Sequence, residues 1–287
     1  MDTQFDIEDL EKFLQRLELE KRIGKNLLFV ETNTQLESTV AFSQYIFSDI
    51  RLITMIGEIH EKSWTCPNRS ITVSEYCKQA VQHNPNCRVM LEYNGGDDAT
   101  RIGSEAIRDT YTALDKIGKL KNIIPFDSRS FFLGVEGHRD LYGDGYKKHT
   151  GSWEKIFSDF IEPFYQKQRD YAELFKLTGD YDREIKNYLE TTYFLDMDQT
   201  FKDIAAMLGH VQGSEVHRAL KDAWKKVSDF FILRDLLKND NVDHYIVIVG
   251  KSHYNNLKNI LSTTALRLNE QTGSSDKCVE LYQTYRI

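Results

Sequence analysis

Apolar residues recur along this chain in short runs that are rich in β-branched side chains and end at a glycine or a charged residue. Four such runs stand out, at residues 52–56, 88–91, 122–126 and 245–249. Runs of this length and composition predict buried strands. Gly57 follows the first run, and we expect the strand to end there in a tight turn.

Between these runs the apolar residues repeat with the period of a helix. Thr72 and Glu75 form a T-x-x-E capping box that opens a predicted helix to about Gln82, and a second helix is predicted over 104–116. Strand and helix therefore alternate. This order predicts the α/β class, with a mostly parallel central sheet flanked by helices.

The second half of the chain has a longer helical stretch. Apolar residues from Trp153 to Phe164 recur at helical spacing. We predict one α/β domain over residues 1–287, in which 153–238 is a largely helical insertion or cap. After it we predict the strand at 244–249, a helix over 254–269 and a last strand at 278–285.

Composition excludes several classes of function. A net charge of −7 and a pI near 5.7 give no electrostatic footprint for nucleic acid. No apolar stretch is long enough to predict a membrane span, and the acidic N-terminus lacks the apolar core of a signal peptide. We therefore expect a cytoplasmic protein that acts on a small-molecule or peptide substrate, with no nucleic-acid or membrane partner.

The cysteines add little to this picture. None of the four is spaced as C-x-x-C, so we expect reduced thiols, and they are poor evidence for a zinc site. Their positions are Cys66, Cys77, Cys87 and Cys278.

Candidate chemistry lies where the two strongest strand runs end. Glu58 and His60 follow the first run, and His253 lies three residues after Gly250 at the end of the last run. The chain thus reads strand-Gly-x-x-His twice. With 16 Gly and 8 His in 287 residues, about 0.4 G-x-x-H matches are expected by chance. Two matches, both at strand ends, favour a shared site.

Acidic residues follow the other two runs in the same way. Glu92 comes directly after residues 88–91, and Asp127 comes directly after residues 122–126. The carboxyl ends of parallel strands meet at one edge of a sheet, where α/β proteins bind their ligands. We therefore expect these acids to join Glu58, His60 and His253 in one polar cluster.

Two chemistries fit this cluster, and both remain open. In one, Glu58, His60 and His253 bind a divalent metal such as Mn, Zn or Co, which lowers the pKa of a water molecule. In the other, no metal is needed: His60 is the general base, Glu58 or Glu92 fixes its tautomer, and His253 is the partner acid or oxyanion stabiliser.

The paired G-x-x-H motifs, the first reading G-E-x-H, resemble the superfamily that contains the erythromycin esterases, the haem-binding lipoprotein ChaN, and the TraB and Tiki proteins. In that superfamily a helix carrying Arg-Asp or Arg-Asn precedes the second motif, which resembles Arg234-Asp235 in FILRDLL here. The strand-borne acid of the family resembles Glu92, and Asp127 resembles the aspartate after the next strand in the esterase branch. The match spans about 50–260 but consists of short motifs.

The resemblance implies a hydrolase that activates water to attack an ester, lactone or peptide-like carbonyl. Glu58, His60, Glu92, Asp127, Arg234 and His253 are the residues that it implies for the site. Arg234 would orient a carboxylate or offset negative charge. The alternatives are a non-catalytic haem- or metal-binding protein of the ChaN type, with Tyr254 as a further candidate ligand of haem iron, and an inactive interaction module on the same fold.

Overall fold

The structure of this protein is a computed structural model, and the parts of the chain that it describes include most of the predicted strands. Further positions are described singly or in short groups at 187, 191 and between 215 and 236. The continuous described ranges are 34–46, 51–58, 65–66, 69–93, 104–126, 194–207, 241–272 and 278–281.

The strands and helices of these ranges alternate along the chain. The strands are β1 (Thr34–Glu37), β2 (Thr39–Ile46), β3 (Leu52–Glu58), β4 (Ser70–Ile71), β5 (Cys87–Leu91), β6 (Ile123–Pro125), β7 (His244–Gly250), β8 (Leu266–Thr272) and β9 (Cys278–Leu281). The helices are α1 (Val73–His83), α2 (Glu105–Lys116), α3 (Phe194–Met207) and α4 (Lys251–Thr264). All four predicted strand runs are therefore strands.

The main sheet of the described residues has six strands in the order β6-β5-β7-β3-β2-β8. The strands β6, β5, β7 and β3 are parallel to one another. β2 is antiparallel to both β3 and β8, so β8 runs in the same direction as β3. Five of the six strands thus share one direction, which confirms the predicted α/β class with a mostly parallel sheet.

Helices cover both faces of this sheet. α1 and α2 pack against each other, and their buried residues share one core with Ile56, Ile246 and Ile248 of β3 and β7. α4 contacts β2, β3, β7 and β8, and its Tyr254 packs on Gly57, the strand neighbour of Ile56. Because successive residues of a strand point to opposite faces, α4 lies on the face opposite α1 and α2.

The helices α1 and α2 each begin at a side-chain cap. The Thr72 hydroxyl accepts a hydrogen bond from the backbone N–H of Glu75 at 3.1 Å, which confirms the predicted start of α1. The Ser104 hydroxyl accepts one from the backbone N–H of Ile107 at 3.4 Å. These caps satisfy N–H groups that have no partner within the helix.

Two predictions at strand ends were wrong. β3 does not end at Gly57, because both Gly57 and Glu58 pair with β2 and β7. The predicted helix 254–269 instead begins at Lys251 and ends at Thr264, and the residues after it form β8 on the edge of the sheet. The last strand ends at Leu281 among the described residues.

A second, three-stranded sheet in the order β4-β1-β9 carries a disulfide between Cys66 and Cys278. The prediction of reduced thiols is therefore wrong for these two residues, which lie 212 positions apart with no spacing motif between them. Cys77 and Cys87 are free, as predicted, and both are buried. Disulfides are commoner in oxidising compartments, and cytoplasmic residence stays a prediction.

The chain divides into two compact units, Met1–Phe126 with Lys238–Ile287, and Asp127–Leu237. The first unit contains both sheets. The second contains α3 and the helical positions described between 215 and 236. The single domain with a helical insertion over 153–238 stays a prediction. Within the described residues, no helix has the length and apolar character needed to cross a membrane.

Candidate functional site

The two G-x-x-H motifs begin at the ends of neighbouring parallel strands. β3 pairs with β7 over its whole length, and Glu58 at the end of β3 lies opposite Gly250 at the end of β7. Adjacent strands are about 4.8 Å apart. The carboxyl ends of the two strands therefore lie side by side, as the sequence pattern predicted for this pair.

Glu58 is a carboxylate held inside the protein. Its side chain is 1% exposed, and its Oε2 accepts a hydrogen bond of 2.7 Å from the Ser104 hydroxyl. Ser104 is also the residue that caps α2. The amino end of a helix thus faces this carboxylate.

His253 lies in the first turn of α4. Gly250 ends β7 and is also the residue before the helix, so no loop separates the strand from the helix. The His253 side chain is buried, at 6% exposure. A helical turn spans 3.6 residues, so His253 lies within one turn of Gly250, the residue that is opposite Glu58.

Glu92 lies on the other side of β7. β5 pairs with β7, with Leu91 opposite Ile248, and the half-buried Glu92 follows directly. The carboxyl ends of β5, β7 and β3 therefore stand in a row. The structure brings together the strand ends that carry Glu92, His253 and Glu58.

The connections of the sheet mark this edge as a place for a ligand. β5 leads through α2 to β6 on one side, whereas β7 leads through α4 to β8 on the other. Neighbouring strands whose connections depart in opposite directions leave a crevice at their carboxyl ends, and α/β proteins bind ligands in such crevices. Glu92 and His253 follow the two strands that border it.

Three predicted site residues lie outside the described residues: His60, Asp127 and Arg234. Asp127 and Arg234 belong to the second unit of the chain. The neighbours of Arg234, Leu233 and Asp235, are both buried. The roles of these three residues stay predictions.

The described part of the chain holds no group of three His, Cys, Asp or Glu side chains that could bind a metal. Glu58 and His253 are two of the three predicted metal ligands, and the third is His60. A carboxylate and an imidazole at one sheet edge are donors that suit a divalent transition metal.

Ser104 is the site residue that sequence reasoning missed. Its position before a helical stretch predicted the start of α2, but nothing in the sequence links it to Glu58, 46 residues earlier. The only local signal was a small hydroxyl residue at a helix start close to the edge where the acids gather.

Tyr254 belongs to the core rather than to the site. Its side chain is 1% exposed, and its ring lies so close to Gly57 that a Cβ on that residue would stand 3.0 Å from Tyr254 Cγ. Gly57 therefore permits the close packing of α4 on β3. The glycine of the first motif serves this contact and not a turn.

A second polar cluster is buried away from the site, under α1. The Thr54 hydroxyl contacts His244 Nε2 at 2.8 Å and accepts a hydrogen bond of 3.2 Å from the Gln44 amide. Burial lowers the pKa of His244 from its ordinary value of 6.5 to about 3, and it raises the pKa of Tyr76, which also bonds Thr54. His244 begins β7, so this cluster lies at the opposite end of the strand from His253.

Comparison with known proteins gives no relative for this chain: no protein-family model, no curated protein and no solved structure matches it.

Proposed function

We propose that this protein is a hydrolase of the kind found in the erythromycin esterase and Tiki superfamily. It would use Glu58, His60 and His253 to activate a water molecule that attacks an ester, lactone or peptide-like carbonyl. Glu92, Asp127 and Arg234 would complete the site. The substrate is a small molecule or a peptide.

One observation carries the proposal. Glu58 and Gly250 are opposite each other in parallel register, which brings the starts of the G-E-I-H and G-K-S-H segments side by side. The order of strands adds Glu92 on the far side of β7, and the strand connections reverse direction between β5 and β7, which is where α/β proteins usually bind ligands. Strand ends from three distant parts of the chain thereby lie side by side at the end of the sheet where α/β proteins usually bind ligands.

The proton transfers follow from the residue types. An imidazole of His60 or His253 accepts a proton from water while the water oxygen bonds to the carbonyl carbon, and the leaving oxygen or nitrogen then takes up a proton as its bond to that carbon breaks. Glu58 is held in place by Ser104 and can fix the orientation and tautomer of an imidazole. A divalent ion bound by Glu58, His60 and His253 would lower the pKa of the attacking water.

Haem binding is less well supported than hydrolysis. An axial ligand must reach haem iron, yet His253 and Tyr254 are 6% and 1% exposed. The Tyr254 ring is also packed against the backbone of Gly57. These contacts favour a site for a small polar ligand over a slot for a porphyrin.

The test combines elemental mass spectrometry with hydrolysis of a panel of p-nitrophenyl esters and lactones. We expect near-stoichiometric Mn, Zn or Co in the purified protein, lost in both His60→Ala and His253→Ala. We also expect each variant to lower the hydrolysis rate by about 100-fold or more, since a general base contributes that much. His83→Ala is the matched control, because His83 is an exposed histidine at the end of α1.

The outcomes separate the two chemistries. Loss of hydrolysis in both variants without any bound metal, even after reconstitution, would leave the metal-free general base. Wild-type rates in both variants would rule out the hydrolase in either form.

A further inference from the structure

Ser104 makes two hydrogen bonds in opposite directions. Its hydroxyl accepts the backbone N–H of Ile107 at 3.4 Å, which starts α2. The same hydroxyl donates to Oε2 of Glu58 at 2.7 Å. Both side chains are buried, with Ser104 at 3% exposure. One small side chain thus joins the start of a helix to the carboxylate at the end of a central strand.

We infer that Ser104 is a positioning residue that fixes the Glu58 carboxylate in its working orientation, an inference that rests on the proposed function of Glu58. A glutamate has several rotatable bonds, and a free one would sample several rotamers. A hydroxyl-to-carboxylate bond of this length is charge-assisted and therefore strong. Fixing Oε2 also fixes the direction in which the rest of the carboxylate can bind a metal or an imidazole.

The attachment of Ser104 to α2 makes this support rigid. α2 packs on α1, and both bury apolar residues against the main sheet. Hydrogen bonds from outside the ligand set orient metal-binding carboxylates, and their loss typically costs 10–100-fold in metal affinity or activity. Ser104 makes such a bond to Glu58.

The experiment compares Ser104→Ala with Thr72→Ala. Thr72 caps the neighbouring helix α1 through the same kind of hydrogen bond, which it accepts from the Glu75 N–H at 3.1 Å. The helix that faces Glu58 is α2, so this cap lies on a different helix. The control therefore removes a helix cap and leaves the Glu58 contact intact. Ser104→Thr is the conservative variant, because it keeps the hydroxyl.

Two readouts are needed. The first is the side-chain carboxylate ¹³C resonance of Glu58 in metal-free protein, assigned by its absence in Glu58→Gln. We expect this resonance to move in Ser104→Ala, to stay in place in Thr72→Ala and to return toward the wild-type position in Ser104→Thr. The second is the affinity for Mn²⁺ by calorimetry, which we expect to fall by tenfold or more in Ser104→Ala alone.

These readouts distinguish failure of the inference from failure of the proposed function. A Glu58 resonance that is unchanged in Ser104→Ala overturns the positioning role, whatever the protein binds. A resonance that moves in a protein with no Mn²⁺ affinity supports the positioning role and removes the metal form of the hydrolase. Equal loss of Mn²⁺ affinity in Ser104→Ala and Thr72→Ala would show that Ser104 acts only as a helix cap and would overturn the positioning role.

Discussion

At Gly57 a side chain would be packed more tightly than most side chains in proteins. A Cβ there would stand 3.0 Å from Tyr254 Cγ and 3.3 Å from Ala41 Cβ. β3 is extended through this position and pairs with strands on both sides, so the strand cannot easily move away. In the sequence this glycine looks like the end of a strand. In the structure it is the point at which a helix packs closely on the sheet.

Gly57→Ala is therefore expected to destabilise the protein, by about 1–3 kcal/mol, which is the usual cost of overpacking a core. Urea unfolding followed by circular dichroism measures the loss. Tyr254→Ala removes the ring that the new methyl group would meet, so the two changes together should cost less than the sum of the two alone. Strict additivity would contradict the proposed contact.

His244 is an imidazole kept neutral by burial. Its Nε2 lies 2.8 Å from the Thr54 hydroxyl, and burial lowers its pKa to about 3 from an ordinary 6.5. Between these two values the unfolded chain binds a proton at this residue that the folded protein does not. The free energy of unfolding therefore rises with pH across this window and falls as the pH drops below about 6.5.

His244→Gln removes the titrating group and keeps an amide near Thr54. We expect wild-type stability to rise between pH 5 and pH 6.5 by up to about 1.4 kcal/mol per pH unit from this residue, and we expect this contribution to be absent from the variant. Urea unfolding at half-unit steps of pH gives the difference between the two slopes. Parallel curves for the two proteins would show that His244 titrates normally when folded.

At the level of elements, local signals were enough to predict the strands β3, β5, β6 and β7 and the starts of α1 and α2. The runs at 52–56 and 245–249 are strands because their β-branched residues are buried on both faces of a sheet. The capping box at Thr72 marks the start of α1. In each case the stabilising contact lies within a few residues or depends only on burial.

Elements whose bounds depend on distant contacts were predicted less well. α4 begins directly after Gly250, without the loop that the pattern suggested, and β8 exists because β2 offers an edge to pair with. The sequence of β8, LRLNEQT, is mostly polar and has too few apolar residues to predict a strand. A strand of this kind is defined by its neighbour and not by its own pattern.

In the candidate site, too, one contact could be predicted from the sequence and another could not. The partnership of Glu58 with the segment that carries His253 was predictable, because two strand ends with the same motif favour neighbouring strands in a parallel sheet. The bond from Ser104 to Glu58 was not, since it joins a helix start to a strand end through the fold alone. Reactive groups are easier to identify from a sequence than the groups that hold them in position.

Across the whole molecule, one covalent link joins parts of the chain that are far apart in sequence. Cys66 precedes β4 and Cys278 begins β9, and both strands pair with β1 in the small sheet. Cys66 also lies six residues after His60. The disulfide thus fixes the far end of the segment that leaves β3 with the first G-x-x-H motif.

Removing this link with Cys66→Ser and Cys278→Ser together should destabilise the protein by about 2–4 kcal/mol, because the disulfide closes a loop of more than 200 residues in the unfolded chain. Urea unfolding without reductant measures the loss. The wild-type protein in excess dithiothreitol should unfold like the double variant, whose own stability should not respond to the reductant.

Free Cys77 and Cys87 are buried, and burial raises the pKa of both thiols, so they should not react with an alkylating reagent before unfolding. Alkylation of Cys66 or Cys278 in native, unreduced protein would contradict the link.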